Sequence, residues 1–118
     1  MPYISRDDDR RKRLRNAETA LIAGELNYQI FYYIKHWGKI YSYENQYDTI
    51  KDLVKNFLGN KPNYQRYNDM TGALIRCYRE IERRLKIKAE VILDILDSYD
   101  DEIAEYENTK IQSNGDVE

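Results

Sequence analysis

The sequence predicts an all-α protein, a small helical bundle that ends in one long or broken helical segment. Apolar residues recur at alternating steps of three and four through most of the chain, which places them on one face of each helix. Glycine and proline are absent between Ala73 and Asn114, so no local signal stops a helix there. Glycine, asparagine and proline cluster in residues 58–63, which is typical of a turn between helices.

The chain has 118 residues, and we expect one helical domain with residues 1–5 and 112–118 as non-helical tails. The net charge of −2 argues against a general duplex-DNA binder. The single cysteine excludes an internal disulfide. A charged N-terminus and the absence of a long apolar run predict a cytoplasmic protein with no membrane contact.

The first helix is predicted from about Arg6 to Ala23, with Gly24 as its stop. Three of its residues are expected to face inward: Leu14, Ala17 and Leu21. The basic run Arg10–Arg15 could meet phosphates, and a nucleic-acid-binding role through it is one open alternative. A solvated face paired with nearby acidic residues is the commoner outcome for such a run.

A second helix is predicted to begin at Glu25, and its apolar face is formed by Leu26, Ile30, Tyr33, Ile34, Trp37 and Tyr41. The opposite face carries two aromatic residues followed by two basic residues, Tyr28, Tyr32, Lys35 and Lys39. A tyrosine ring can stack on a nucleobase while a neighbouring ammonium group meets a phosphate. The same face could instead pack on another subunit or lie in solvent.

A third amphipathic helix follows, with Tyr47, Ile50, Leu53, Val54 and Phe57 on its apolar face. The stretch Tyr64–Ile111 then continues without an internal stop. As one rod, its part from Tyr64 to Asn108 would be roughly 65 Å long at about 1.5 Å per residue. We therefore expect it either to break near Lys86–Lys88 or to project and be buried by another subunit.

The polar face of that stretch carries three arginines, Arg76, Arg79 and Arg83, within about 60° of one another. Such arginines could clamp a phosphodiester, or they could form ordinary salt bridges with Glu80 and Glu82. No pattern supports catalysis: His36, the only histidine, is expected to be a partly buried structural residue, and Cys77 lies on the apolar stripe. We expect no enzyme activity, no cofactor and no metal.

Several short motifs, spread in order over nearly the whole chain, resemble a family of small helical proteins of bacteriophages and prophages. They are Pro2–Ile4, Gly24–Tyr28, Tyr67–Asp69 with Gly72–Leu74, and Tyr106–Ile111 with Asn114–Val117. The chain departs from that family in extra helical sequence around Lys86–Glu102. It also has Glu105 at a position where the family pattern has proline.

The resemblance implies a phage-encoded protein that acts in the host cytoplasm. From this setting and the tyrosine-basic faces, we expect a homo-oligomer that sequesters a cyclic dinucleotide of antiviral immunity. The motif residues would complete its binding site if the chain termini gather there: Tyr3, Tyr106, Lys110, Asn114 and Asp116. A protein–protein interaction module is the alternative, because twelve tyrosines and many arginines also suit a protein interface.

Overall fold

The computed structural model describes the backbone of residues 9–114 and the side chains of these residues, except those of 106 and 108–114. This part of the chain is helical throughout, apart from short connections. Its helices are α1 (Asp9–Arg15), α2 (Ala23–Trp37), α3 (Tyr43–Leu58), α4 (Tyr64–Leu85) and α5 (Glu90–Asn114). The predicted all-α class is confirmed.

Helix α2 packs against α1, α3 and α4. Helix α5 packs on the other side, against α3 and α4. The core between them contains the predicted apolar stripes, and its largest fully buried side chains include Phe57, Leu26, Ile30, Met70, Leu74 and Ile92. Burying one such side chain contributes roughly 1.5–3 kcal/mol.

Local capping sets the boundaries of α3 and α4. The Ser42 hydroxyl accepts a hydrogen bond from the Asn45 amide at the start of α3, and the Asn63 side chain accepts one from the Arg66 amide at the start of α4. Between these helices the chain turns at Gly59, whose φ is 77°. The predicted turn in residues 58–63 is thus confirmed.

The long stretch Tyr64–Ile111 forms two helices, with a break between them at the predicted position. Helix α4 ends at Leu85, Lys86 adopts a left-handed conformation with φ of 59°, and α5 begins at Glu90. The prediction of a helix break near Lys86–Lys88 is confirmed. The prediction that residues 112–118 form a non-helical tail is wrong for 112–114, because α5 continues to Asn114.

The predicted first helix is wrong in length. Helix α1 ends at Arg15, and Ala17 is exposed in a left-handed conformation with φ of 63°. The Ala17 amide donates to the Leu14 carbonyl and the Glu18 amide to the Arg13 carbonyl, which is the hydrogen-bond pattern of a Schellman motif. Leu14 is buried as predicted, but Leu21 is 60% exposed on the connection to α2.

The connection between α1 and α2 is held by side chains that bind its backbone. The Glu25 carboxylate accepts from the Leu21 amide at 2.9 Å, and the Arg66 guanidinium donates to the Leu21 carbonyl at 2.8 Å. Because these bonds satisfy backbone groups that a continuous helix would otherwise pair, they favour a bend. Gly24 consequently lies in the first turn of α2 and does not stop a helix.

Candidate functional site

Three helices meet at a groove of about 260 Å³, which we call the cationic groove. Its lining residues come from α1, α2 and the end of α4: Arg11, Arg15, Tyr28, Phe31, Tyr32, Lys35, His36 and Arg84. None of the described residues that line it is acidic. The groove therefore concentrates positive charge beside aromatic rings.

The aromatic floor of the cationic groove is the stripe predicted on α2. The rings of Tyr28 and Tyr32 are 6.2 Å apart between centroids and nearly parallel. The imidazole of His36 lies 4.3 Å from the Tyr32 ring. Residues four apart on a helix lie one above the other, so the three rings form a ladder along α2.

The guanidinium groups lie over this ladder. Arg11 is 5.3 Å from the centroid of the Tyr28 ring, and Arg15 is 6.0 Å from that of Tyr32. Arg84 reaches Phe31 from the end of α4, at 4.9 Å. These distances lie within the range of cation–π attraction, which helps to hold the cations at the groove.

The geometry does not favour Tyr28 as the ring that stacks on a nucleobase. Tyr28 is only 7% exposed and lies below Arg11, so its ring face is covered. Tyr32 is half-buried between Tyr28, His36 and Arg15. The arrangement is suited to binding an anion through guanidinium and ammonium groups, with tyrosine rings supporting the cations from beneath.

The other predicted basic residues divide between the groove and the surrounding surface. Lys35 lines the cationic groove, whereas Lys39 is exposed in the turn after α2 and does not line it. Arg76, Arg79 and Arg83 are exposed on α4, and none of them lines the groove. Arg83 pairs with Glu80 at 2.7 Å, so for this residue the salt-bridge alternative is confirmed.

Two predicted site residues, Tyr3 and Asp116, lie outside the described residues. The side chains of Tyr106, Lys110 and Asn114 are also outside the described part, although their backbone belongs to α5. The prediction that the motif residues complete the site stays a prediction.

A second cavity, of about 380 Å³, lies on the neighbouring flank of α2. We call it the aromatic cleft, and its lining residues are Tyr33, Trp37, Tyr41, Asn45 and Thr49. The rings of Tyr33 and Tyr41 are parallel within 1°, with centroids 6.4 Å apart, and Trp37 lies 5.9 Å from Tyr41. No charged residue of the described chain lines this cleft.

The cleft corrects the prediction for the apolar face of α2. Leu26, Ile30 and Ile34 are buried as predicted, but Trp37 is 41% exposed and Tyr41 is also exposed. The reason is that α2 ends at Trp37 and the chain turns at Gly38, so Tyr41 does not belong to this helix or to its apolar face. An added Cβ at Gly38 would lie 2.5 Å from the Ile34 carbonyl oxygen, so glycine permits this close turn.

Four polar residues of the cationic groove were missed or misjudged from the sequence. His36 is exposed in the groove and is not a partly buried structural histidine. Arg11 and Arg15 come from the run for which a solvated face was the commoner expectation, and Arg84 was not singled out. One signal was available: Arg11 and Arg15 are four residues apart on α1, as Tyr28 and Tyr32 are on α2.

Two observations on the described residues concern the thiol of Cys77 and the side chains that can bind metals. Cys77 is fully buried, as predicted, and burial raises the pKa of its thiol well above the ordinary value. No group of three His, Cys, Asp or Glu side chains in the described chain could hold a metal ion.

Within residues 9–114, no helix has the length and apolar character needed to cross a membrane. Comparison of the chain with protein-family models, curated proteins and solved structures gives no match. The resemblance to phage proteins therefore stays a prediction.

Proposed function

We propose that the protein binds a nucleotide through the cationic groove and sequesters it without cleaving it. The observation that carries this proposal is the alignment of arginines on α1 with tyrosines on α2. Arg11 and Arg15 of α1 lie over Tyr28 and Tyr32 of α2, and Arg84 of α4 closes the same groove. Guanidinium groups that α1 and α4 bring to one groove can bind phosphate oxygens by forked, charge-assisted hydrogen bonds.

The size of the groove bears on the ligand and on the assembly that we propose. Ligand pockets commonly measure roughly 300–1,000 Å³, and the cationic groove, at about 260 Å³, lies just below this range. One groove would cover only part of a cyclic dinucleotide. The proposal therefore includes a homo-oligomer in which a second copy covers the exposed part of the ligand.

The biological setting of the proposal comes from the sequence resemblance. A phage-encoded protein in the host cytoplasm that withholds a cyclic dinucleotide would prevent this messenger from activating antiviral defence. Sequestration requires tight binding and an intact ligand, and it requires no catalytic group. Among the described residues, the side chains that line the groove are suited to binding in this way.

The first test is ligand binding by the purified protein. We expect one member of a panel of cyclic dinucleotides and ADP-ribose derivatives to raise the melting temperature by several degrees. Heat denaturation should then release the unmodified nucleotide. Release of a cleaved product would contradict sequestration, and the absence of any shift would contradict nucleotide binding.

Substitution in the groove tests the site itself. Arg15→Ala should weaken binding about tenfold or more, because a hydrogen bond to a charged group contributes about 1.5–3 kcal/mol. Arg76→Ala is the matched control, since Arg76 is an exposed helical arginine outside the groove. Calorimetric titration of both variants gives the affinities, and equal losses would place the ligand elsewhere.

A protein-binding role is the second candidate, favoured by exposed apolar residues at the corner between α2 and α3. Ile40 is 69% exposed, and Trp37, Tyr41 and Tyr43 lie nearby in the chain and are also exposed. Exposed aromatic residues are typical of interfaces. In this case crosslinking in a host lysate should trap a protein partner, and Ile40→Ser should abolish capture while Arg15→Ala preserves it.

A further inference from the structure

The cationic groove and the aromatic cleft are linked by a third, smaller cavity of about 70 Å³. This cavity shares Arg15 and Tyr32 with the cationic groove. It shares Tyr33, Trp37 and Thr49 with the aromatic cleft. Because the small cavity has walls in common with both, it lies between them, and we call the three together the depression around α2.

The small cavity is also lined by a buried polar side chain whose acceptor has no partner. Gln29 is only 4% exposed, and its amide nitrogen donates to the carbonyls of Leu14 at 3.2 Å and Glu18 at 2.6 Å. Since carbonyls only accept hydrogen bonds, these two bonds fix the orientation of the amide. The Gln29 Oε1 atom is left buried without a hydrogen bond, which is costly unless a ligand supplies a donor.

The two ends of the depression differ in chemistry. The cationic groove holds guanidinium, ammonium and imidazole groups, whereas the aromatic cleft has three aromatic rings and, among its described residues, no charge. A ligand that fills both ends is anionic at one end and planar and aromatic at the other, with a hydrogen-bond donor between them. A nucleotide has this combination, because it joins a phosphate to a base through a hydroxylated sugar.

We infer that the aromatic cleft is the base-binding subsite for the nucleotide whose phosphates occupy the cationic groove. The inference rests on the proposed function and extends it to Tyr33, Trp37 and Tyr41. The base stacks in the cleft, where rings are exposed, and not on Tyr28, whose ring is covered by Arg11. The sugar crosses the small cavity, where a hydroxyl group can donate to Gln29 Oε1.

Trp37 is the only tryptophan, so its fluorescence reports directly on the cleft. The experiment compares cyclic di-AMP with inorganic tripolyphosphate, which is anionic but has no base. We expect both to bind the intact protein and only cyclic di-AMP to quench Trp37, because only a base enters the cleft. Equal quenching by both probes would overturn the inference.

The variants separate the two ends of the site. Tyr41→Ala should weaken cyclic di-AMP binding about five- to hundredfold, the usual effect of removing one base–aromatic stack, and leave tripolyphosphate binding unchanged. Arg15→Ala should weaken both. Ile40→Ala is the matched control, since Ile40 precedes Tyr41, is exposed and lies outside the cleft.

The outcomes distinguish the inference from the proposed function. If cyclic di-AMP binds and Tyr41→Ala leaves its affinity unchanged, the cleft is not the base subsite, while the groove proposal survives. If cyclic di-AMP binding requires Tyr41 but tripolyphosphate does not bind, the aromatic cleft binds the ligand alone. The inference that the phosphates of the same ligand occupy the cationic groove is then wrong. If neither probe binds and no nucleotide of the panel raises the melting temperature, the proposed function itself fails.

Discussion

Tyr32 and Tyr33 are consecutive residues of α2, yet they belong to surfaces of different chemistry. Tyr32 lies in the cationic groove, against His36 and below Arg15. Tyr33 lies in the aromatic cleft, parallel to Tyr41. Both tyrosines are half-buried, so burial does not distinguish them. The two tyrosines differ in the groups that surround each ring.

The difference between the two surfaces comes largely from the elements that flank α2. Helix α1 brings Arg11 and Arg15 to one flank, and the end of α4 brings Arg84. The turn at Gly38 brings Tyr41 to the other flank, and α3 adds Asn45 and Thr49. Identical side chains on one helix thus acquire different ligand preferences from their neighbours. Removing one neighbour should therefore affect one surface and spare the other.

The largest expected effect is on the docking of α1. This helix has seven residues, too few to be stable alone, and Leu14 is its only buried side chain. Leu14→Ala should weaken the docking of α1 by about 2–5 kcal/mol. Hydrogen exchange should accelerate in residues 9–15. Tripolyphosphate binding should be lost, because Arg11 and Arg15 are no longer held at the cationic groove.

Leu21→Ala is the control for this change. Leu21 follows α1 in the chain and is exposed, so truncating it should alter neither hydrogen exchange nor binding. The Trp37 emission should change less than phosphate binding does in the Leu14→Ala variant, because the aromatic cleft has no residue from α1 and Trp37 meets Leu14 only across the small cavity that both line. If the Trp37 emission changes as much as phosphate binding does, the two surfaces are not separable.

The complementary change is made at the turn that forms the cleft. Gly38→Ala places a Cβ 2.5 Å from the Ile34 carbonyl oxygen, and backbone atoms have to shift to relieve this contact. We expect a loss of about 1–3 kcal/mol in the free energy of unfolding, measured by urea denaturation. Trp37 quenching by cyclic di-AMP should diminish, while tripolyphosphate binding is retained.

Gly72→Ala is the matched control, because Gly72 lies within α4 and an added Cβ there meets no atom within 4 Å. It should stabilise the protein by up to about 1 kcal/mol, the difference in helix propensity between the two residues. A similar gain for Gly38→Ala would show that the turn relaxes easily and that glycine is not needed to form the cleft.

Much of the fold was predictable because its signals are local. The apolar periodicity identified the buried faces of α3 and α4 and part of that of α5, where it left out Val91 and Ile95. The cluster of turn residues identified the connection before Tyr64. The end of α1 was not predictable in the same way. It depends on Ala17 in a conformation that alanine seldom adopts, and on bonds from Gln29 and Glu25 on the next helix.

The candidate site was predictable only in part, for a related reason. The tyrosines and Lys35 on α2 were recognisable from their spacing along one helix. The sequence alone did not tell which of the many arginines would face them, since that depends on how α1 and α4 pack against α2. Arg84 lines the groove and Arg83 does not, because adjacent helical residues point about 100° apart.

The smallest expected effect comes from relieving strain at the end of α1. Ala17→Gly replaces an alanine with φ of 63° by the residue that adopts this conformation without steric cost. The relief is partly offset by the greater freedom of glycine in the unfolded chain, which leaves a gain of about 0.5–1 kcal/mol. Hydrogen exchange should slow in α1, and tripolyphosphate should bind at least as tightly as before.

Lys86→Gly makes the same kind of change at the junction of α4 and α5, where φ is 59°. Both variants should raise the melting temperature, because each removes a strained left-handed residue. Only Ala17→Gly should protect α1, since Lys86 lies outside α1 and its connection to α2. If Lys86→Gly slowed hydrogen exchange in α1 equally, the slower exchange would reflect the stability of the whole protein. Helix α1 would then not dock as a separate unit, and its docking would not affect the cationic groove independently of the aromatic cleft.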